Sequence, residues 1–111
     1  MTEEVKFSEW QKLDLRVGKI LSCENHPNAD RLYVIEVDLG AEKRKLVAGL
    51  KQHYKPKELI GKPCIVAVNL EPAVLRGIKS EGMILAAVSE DKTKVRLIKP
   101  DKDIEIGAKI S

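Results

Sequence analysis

Asn69 to Met83 holds the densest set of groups able to do chemistry: Arg76, Lys79 and Ser80 set among Pro72, Gly77 and Gly82. An apolar run, Ile65 to Val68, leads into this segment, and a second, Ile84 to Val88, leaves it. Glycines expose backbone N–H groups and the two cations add positive charge. Without an acid–base pair beside a nucleophile, that set suits a phosphate backbone better than a reaction centre. The string Gly77-Ile78-Lys79-Ser80 ends like a phosphate-binding loop, yet the G-x-x-x-x-G-K spacing is missing and a strand follows where a helix should open. His26 sits in a turn before Pro27, and His53 beside Tyr54. Neither neighbours a Ser or Cys nucleophile in a recognisable motif, so both read as surface histidines. Cys23 and Cys64 form no C-x-x-C pair and have no histidine at ligand spacing, which makes them reduced, buried thiols. No catalytic residue, cofactor or metal site is expected.

Charge points the same way. The net charge is only +3, but it is uneven. Between residues 43 and 62, Lys43, Arg44, Lys45, Lys51, Lys55, Lys57 and Lys62 stand against Glu58 alone, so this window carries +6 and the remainder −3. A basic stripe on a near-neutral protein predicts an anionic partner docking on one face. No apolar run approaches the roughly 20 residues that span a bilayer, and the start of the chain lacks the apolar stretch of a signal peptide. A cytoplasmic protein with no membrane partner is expected.

The elements that must position these groups are short strands. With 111 residues the chain reads as one domain, 1–111, divided into a lead-in (1–12), a barrel (13–98) and a C-terminal extension (99–111). Ser8 is placed to cap a short helix in the lead-in. Leu13, Leu15 and Val17 alternate with Asp14 and Arg16, then the phase slips at Gly18, predicting a bulge or bend there. Asn25 to Asp30 is turn chemistry. Leu32 to Leu39 forms a second strand with Tyr33, Ile35, Val37 and Leu39 on its inner face. A third follows from Arg44 to Ala48 after a turn at Gly40 to Glu42. Pro56 to Gly61 carries the proline-first, glycine-last signature of a one-turn helix. Pro63 to Val68 is a central strand, and Met83 to Val88 and Lys94 to Ile98 add two more. Ile104, Ile106 and Ile110 supply further strand-like material. This all-β layout is that of an OB-fold, a five-stranded Greek-key barrel with a short helix between strands 3 and 4 and extra N- and C-terminal elements.

In that fold the loop after strand 1 and the loop before strand 5 rim one groove. Asn28 and Arg31 therefore fall on the same side as Asn69, Arg76, Lys79 and Ser80, with Asn69 read either as a contact or as a brace for its own loop. Only four aromatic residues exist, Phe7, Trp10, Tyr33 and Tyr54, too few for a base-stacking platform. The shortage favours contacts to backbone and shape, the manner in which folded RNA is recognised.

Four segments together resemble a known family: Asp14-Leu15-Arg16-Val17-Gly18-Lys19-Ile20, His26-Pro27-Asn28-Ala29-Asp30-Arg31-Leu32-Tyr33, Val47-Ala48-Gly49-Leu50, and Asn69 to Ala87. They are similar to the structure-specific tRNA-binding domain. That domain occurs in freestanding tRNA-binding proteins, as the C-terminal domain or beta subunit of methionyl-tRNA synthetase, and as the tail of endothelial monocyte-activating polypeptide II. The resemblance covers about residues 7 to 111 and implies shape-dependent, sequence-nonspecific tRNA binding. It places Asn28, Arg31, Asn69, Arg76, Ser80 and Met83 on the RNA face, and charge adds Lys19, Lys51 and Lys79. Val74 stands where relatives often have a lysine. The resemblance also implies a homodimer, for which Phe7, Trp10, Ile104, Ile106 and Ile110 are the interface candidates, and a possible partner in the synthetase catalytic subunit. Beginning at Met1 without a catalytic domain, the chain reads as a freestanding protein or a beta subunit, with the C-terminal domain of a longer synthetase left open, and in either form it is expected to supply tRNA affinity to methionyl-tRNA synthetase. Two alternatives stand beside this: a secretion-related chaperone of the same fold that binds unfolded polypeptide, and a pure dimerisation module.

Overall fold

A computed structural model describes residues 3–111. Its centre is a five-stranded antiparallel sheet in the order β3-β2-β1-β4-β7. The strands are β1 (Leu15–Asn25), β2 (Tyr33–Asp38), β3 (Lys43–Ala48), β4 (Pro63–Ala67) and β7 (Met83–Ile84). The sheet curls until β3 meets the segment before β7, where the Glu81 N–H donates to the Lys45 carbonyl at 2.9 Å. The result is a nearly closed OB-type barrel. Ile20, Ile35, Val37, Leu46, Leu59, Cys64 and Val66 are fully buried inside it. Each large apolar side chain so removed from water contributes about 1.5–3 kcal/mol.

Strand β1 serves both sides of the barrel, pairing with β4 through Leu15–Lys19 and with β2 through Lys19–Asn25. The bulge that lets it do so lies at Leu21, between the Ile20 and Ser22 pairings, and not at Gly18. Gly18 has a different duty. A Cβ there would sit 2.5 Å from Val37 Cγ1, so the missing side chain lets β1 lie flat on β2.

Helix α1 (Phe7–Trp10) begins one residue before the expected cap, so Ser8 lies inside it and Lys6 occupies the cap position. Helix α2 (Pro56–Leu59) matches its sequence signature, with proline at the first turn and the Lys55 N–H donating to Glu58 Oε1 at 2.7 Å. Leu59 of α2 plugs the barrel.

Three further expectations need correcting. Asn69 to Met83 is not a plain loop, because β5 (Ala73–Leu75) and β6 (Ile78–Ser80) form a hairpin within it. The run from Met83 to Val88 is not one strand. It breaks after Ile84, and β8 (Ala86–Val88) leaves the barrel to pair with β9 (Val95–Leu97) in a separate ribbon. Ile104 to Ile110 forms no named strand either. Residues 107–110 lie along β1, where the Gly107 and Ile110 N–H groups donate to the Val17 and Leu15 carbonyls at 2.8 Å each. This covers the edge of β1 that β2 leaves open, as an exposed strand edge requires.

Candidate nucleic-acid interface

The β1–β2 loop and the β5–β6 hairpin meet at one end of the barrel. Asn28, Asp30, Arg31 and Arg76 line a single open cleft of about 350 Å³ between them. Arg31 and Arg76 are exposed. Among the described residues neither has an ion-pair partner, although the Asp30 carboxylate lies in the same cleft. Two arginines thus reach one cleft from loops 45 positions apart in sequence, and guanidinium groups are chemically suited to phosphate oxygens.

Arg76 stands on an unusual backbone. The two turn residues between β5 and β6, Arg76 and Gly77, both have positive φ, at 53° and 91°. That is a type I′ turn, which favours Asn-Gly. An arginine in the left-handed region costs about 1–2 kcal/mol, and such strain clusters at functional positions. Lys79 is exposed on β6 directly opposite Val74, whose own side chain is 69% exposed. The two share the outward face of the hairpin, while Ser80 points inward.

Ser80 is therefore no surface group. It is 4% exposed, its Oγ accepts the Val47 N–H at 3.0 Å and donates to the Gly82 carbonyl at 2.9 Å. Its hydroxyl closes the seam between β3 and β6, buried beneath the surface. Asn69 is likewise committed. Its Oδ1 accepts the Asp14 N–H at 2.8 Å and its Nδ2 donates to the Lys12 carbonyl at 2.5 Å. The brace it forms ties its loop to the entry of β1. Met83 is half exposed on β7, where it pairs with Ala67 opposite the start of β1, so it does not line the arginine cleft.

The remaining lysines divide. Lys51 lies just beyond β3, whose Ala48 pairs with Tyr33 at the same end of the sheet as the arginine cleft. Lys19 does not join it, because it lines a separate cleft of about 480 Å³ with Lys62, Lys99, Ile104 and Ile106. Arg44 leaves the basic stripe altogether. It donates to Glu42 Oε1 at 2.7 Å and to the carbonyls of Val68 and Glu81, clamping both ends of the hairpin segment. That bond holds the Glu42 carboxyl below its ordinary range.

His26 is not the surface histidine its turn suggested. It is 4% exposed and packed between the two loops. Its burial left no mark in the sequence, because its partners are main-chain groups. Both tyrosines are occupied internally as well: Tyr33 Oη donates to the Tyr54 carbonyl at 2.8 Å, and Tyr54 Oη accepts the Leu97 N–H at 3.1 Å. Phe7 and Trp10 remain exposed, and with Leu13 and Ile110 they line an apolar cleft at the start of β1. Ile104 and Ile106 belong instead to the Lys19 cleft, so the five interface candidates fall into two groups. Among the described residues no His, Cys, Asp or Glu cluster could hold a metal, and no helix is long and apolar enough to cross a membrane.

Residues 15–109 match the family described as "Putative tRNA binding domain". The chain belongs to this tRNA-binding domain family. The matched span takes in both loops of the arginine cleft and stops short of α1. The methionine–tRNA ligase of Pyrococcus horikoshii is 56% identical over 108 residues, which is 97% of this chain and 15% of that protein. The chain thus spans about one-seventh of the length of that relative. Among solved structures, a MetRS-related protein from Pyrococcus horikoshii superposes with a TM-score of 0.92 at 34% identity, covering 99% of this chain and all of that one. The chaperone CsaA of Bacillus anthracis superposes with a TM-score of 0.87 at 31% identity, covering 98% and 100%. The tRNA-binding domain fold is therefore shared with proteins bearing two different names.

Proposed function

We propose that this chain grips folded tRNA by its outline, with little regard to base sequence, and lends that affinity to a methionyl-tRNA synthetase. The observation that carries the reading is the convergence of Arg31 and Arg76, unpaired, on one cleft at the barrel mouth. Asn28, Lys51 and Lys79 extend that face, and Met83 offers a separate apolar contact nearer the start of β1. Ser80 and Asn69 act behind it, holding the loops in place. Phosphate contacts fix register without reading bases. Among the described residues no exposed aromatic ring stands at this end to stack a splayed base, since Tyr33 is buried, Tyr54 packs against the core, and Phe7 and Trp10 line a cleft elsewhere. The synthetase role rests on the methionine–tRNA ligase relatives, as a beta subunit or a C-terminal domain. A homodimer through the Phe7–Trp10 cleft and a cytoplasmic site of action complete the reading.

A gel-shift series with folded tRNA, unfolded tRNA and duplex DNA tests it. Folded tRNA should bind most tightly. Each neutralised phosphate adds about 0.7–0.9 to the slope of log affinity against log salt, so about four to six contacts give a slope near 3 to 5. Equal retention of all three nucleic acids, or a shallow salt response, refutes the reading. The likeness to the CsaA chaperone favours a second reading, in which the same groove takes unfolded polypeptide. Competition separates them: a denatured peptide that displaces tRNA supports the chaperone role, and one that displaces nothing removes it.

A further inference from the structure

We infer that His26 is a positioning residue: a latch that joins the two RNA-facing loops and sets the distance between Arg31 and Arg76. The inference rests on the proposed tRNA reading for its consequence, but not for its geometry. His26 sits at the end of the β1 strand, and its own N–H donates to the Leu32 carbonyl at 3.1 Å, closing the neck of the β1–β2 loop. The Asn28 N–H points at Nδ1 from 3.0 Å. An N–H facing Nδ1 makes that atom an acceptor, so the ring proton sits on Nε2. Nε2 then donates to the Leu75 carbonyl 2.9 Å away, 49 positions along the chain. One neutral tautomer satisfies both nitrogens, as burial of the ring demands.

Leu75 is the residue immediately before Arg76. Its carbonyl is the last fixed point before the strained turn that carries the arginine. Among the described residues the His26–Leu75 bond is the one hydrogen bond that links the β1–β2 loop to the β5–β6 hairpin. Without it, two exposed loops meet across an open cleft with nothing directional between them. A phosphate held by both guanidinium groups requires their spacing to be set beforehand, since ordering two loops on binding costs affinity.

Two substitutions split the imidazole into its halves. His26→Gln keeps a donor near the Nε2 position and loses the acceptor for Asn28. His26→Asn keeps that acceptor and cannot reach Leu75. A double-mutant cycle of Arg31→Ala and Arg76→Ala, read as tRNA affinity, should show about fivefold coupling in the wild-type background, the size expected for groups sharing one ligand. The coupling should survive in His26→Gln and vanish in His26→Asn. Nitrogen-15 spectra of the free protein supply a readout independent of RNA: they should show the proton on Nε2, and a proton on Nδ1 overturns the latch. So does coupling that persists in a folded His26→Asn protein. If His26→Asn fails to fold, His26→Gln decides, and loss of coupling there overturns the inference. A wild-type protein that ignores tRNA sinks the proposed function, while the tautomer still decides the latch.

Discussion

Replacing Arg76 by asparagine should make the protein more stable and less able to bind. The turn at Arg76-Gly77 becomes Asn-Gly, the pair that type I′ hairpins favour most. Arg76 has φ 53° and no ion-pair partner among the described residues, so nothing that holds the fold is lost. Arginine in the left-handed region costs about 1–2 kcal/mol, and asparagine recovers part of it. A gain of about 0.5–1 kcal/mol corresponds to a rise in Tm of about 2–4 °C for a domain of this size. Removing one phosphate contact should lower the salt slope by about 0.7–0.9. The assays are thermal melting followed by circular dichroism, and tRNA titration across a salt series. A lower Tm, or an unchanged salt slope, refutes the argument that Arg76 is kept in a costly conformation for the sake of an anion.

Three further outcomes are expected. Ser80→Ala leaves the buried Val47 N–H without its acceptor and should cost about 1–3 kcal/mol in urea unfolding; an effect below ~0.5 kcal/mol would show that the seam closes without it. Burial pushes the Cys23 thiol up to about 11 and the Cys64 thiol up to about 12, from a usual 9.0. Because the folded values are raised, the stability they contribute is complete below pH 9 and is lost as pH climbs from 9 towards 12; melting curves flat across that window would contradict it. Both thiols should also resist alkylation at pH 8 until the chain unfolds. Trp10→Asp, in the exposed apolar cleft with Phe7 and Ile110, should move a sedimentation profile towards monomer, and an unchanged profile removes Trp10 from the interface.

Alternation in the sequence located the strands of the barrel well, because one face of each is buried and the other is wet. Tyr33, Ile35, Val37 and Leu39 point inward as their spacing required, and Pro56 with Gly61 marked the short helix. The β5–β6 hairpin was hidden because its turn is Arg-Gly, which carries no turn signal of its own. Ile104 to Ile110 imitates a strand, yet Gly107 breaks the alternation, and its pairing with β1 is confined to residues 107–110 around the Arg16–Lys109 bridge. The arginine cleft followed from topology once the barrel was inferred. Its supports did not. His26 and Arg44 bond to carbonyls of Leu75, Val68 and Glu81, and a main-chain acceptor can be any residue, so no pattern announces it. Lys19 was grouped with the arginines by charge alone, and charge does not say which face a strand presents.

The tail that runs back along β1 has a further consequence for anything joined to this domain. Phe7, Trp10 and Ser111 line the same cleft, so both ends of the described chain come together at the foot of β1. The arginine cleft lies past the other end of this bent strand, and the Asn69 brace ties the base of its hairpin back to the entry of β1. A neighbour fused at either end would leave from the Phe7–Trp10 cleft and not from the cleft that Asn28, Arg31 and Arg76 line. The attached unit would then leave the mouth of the arginine cleft open.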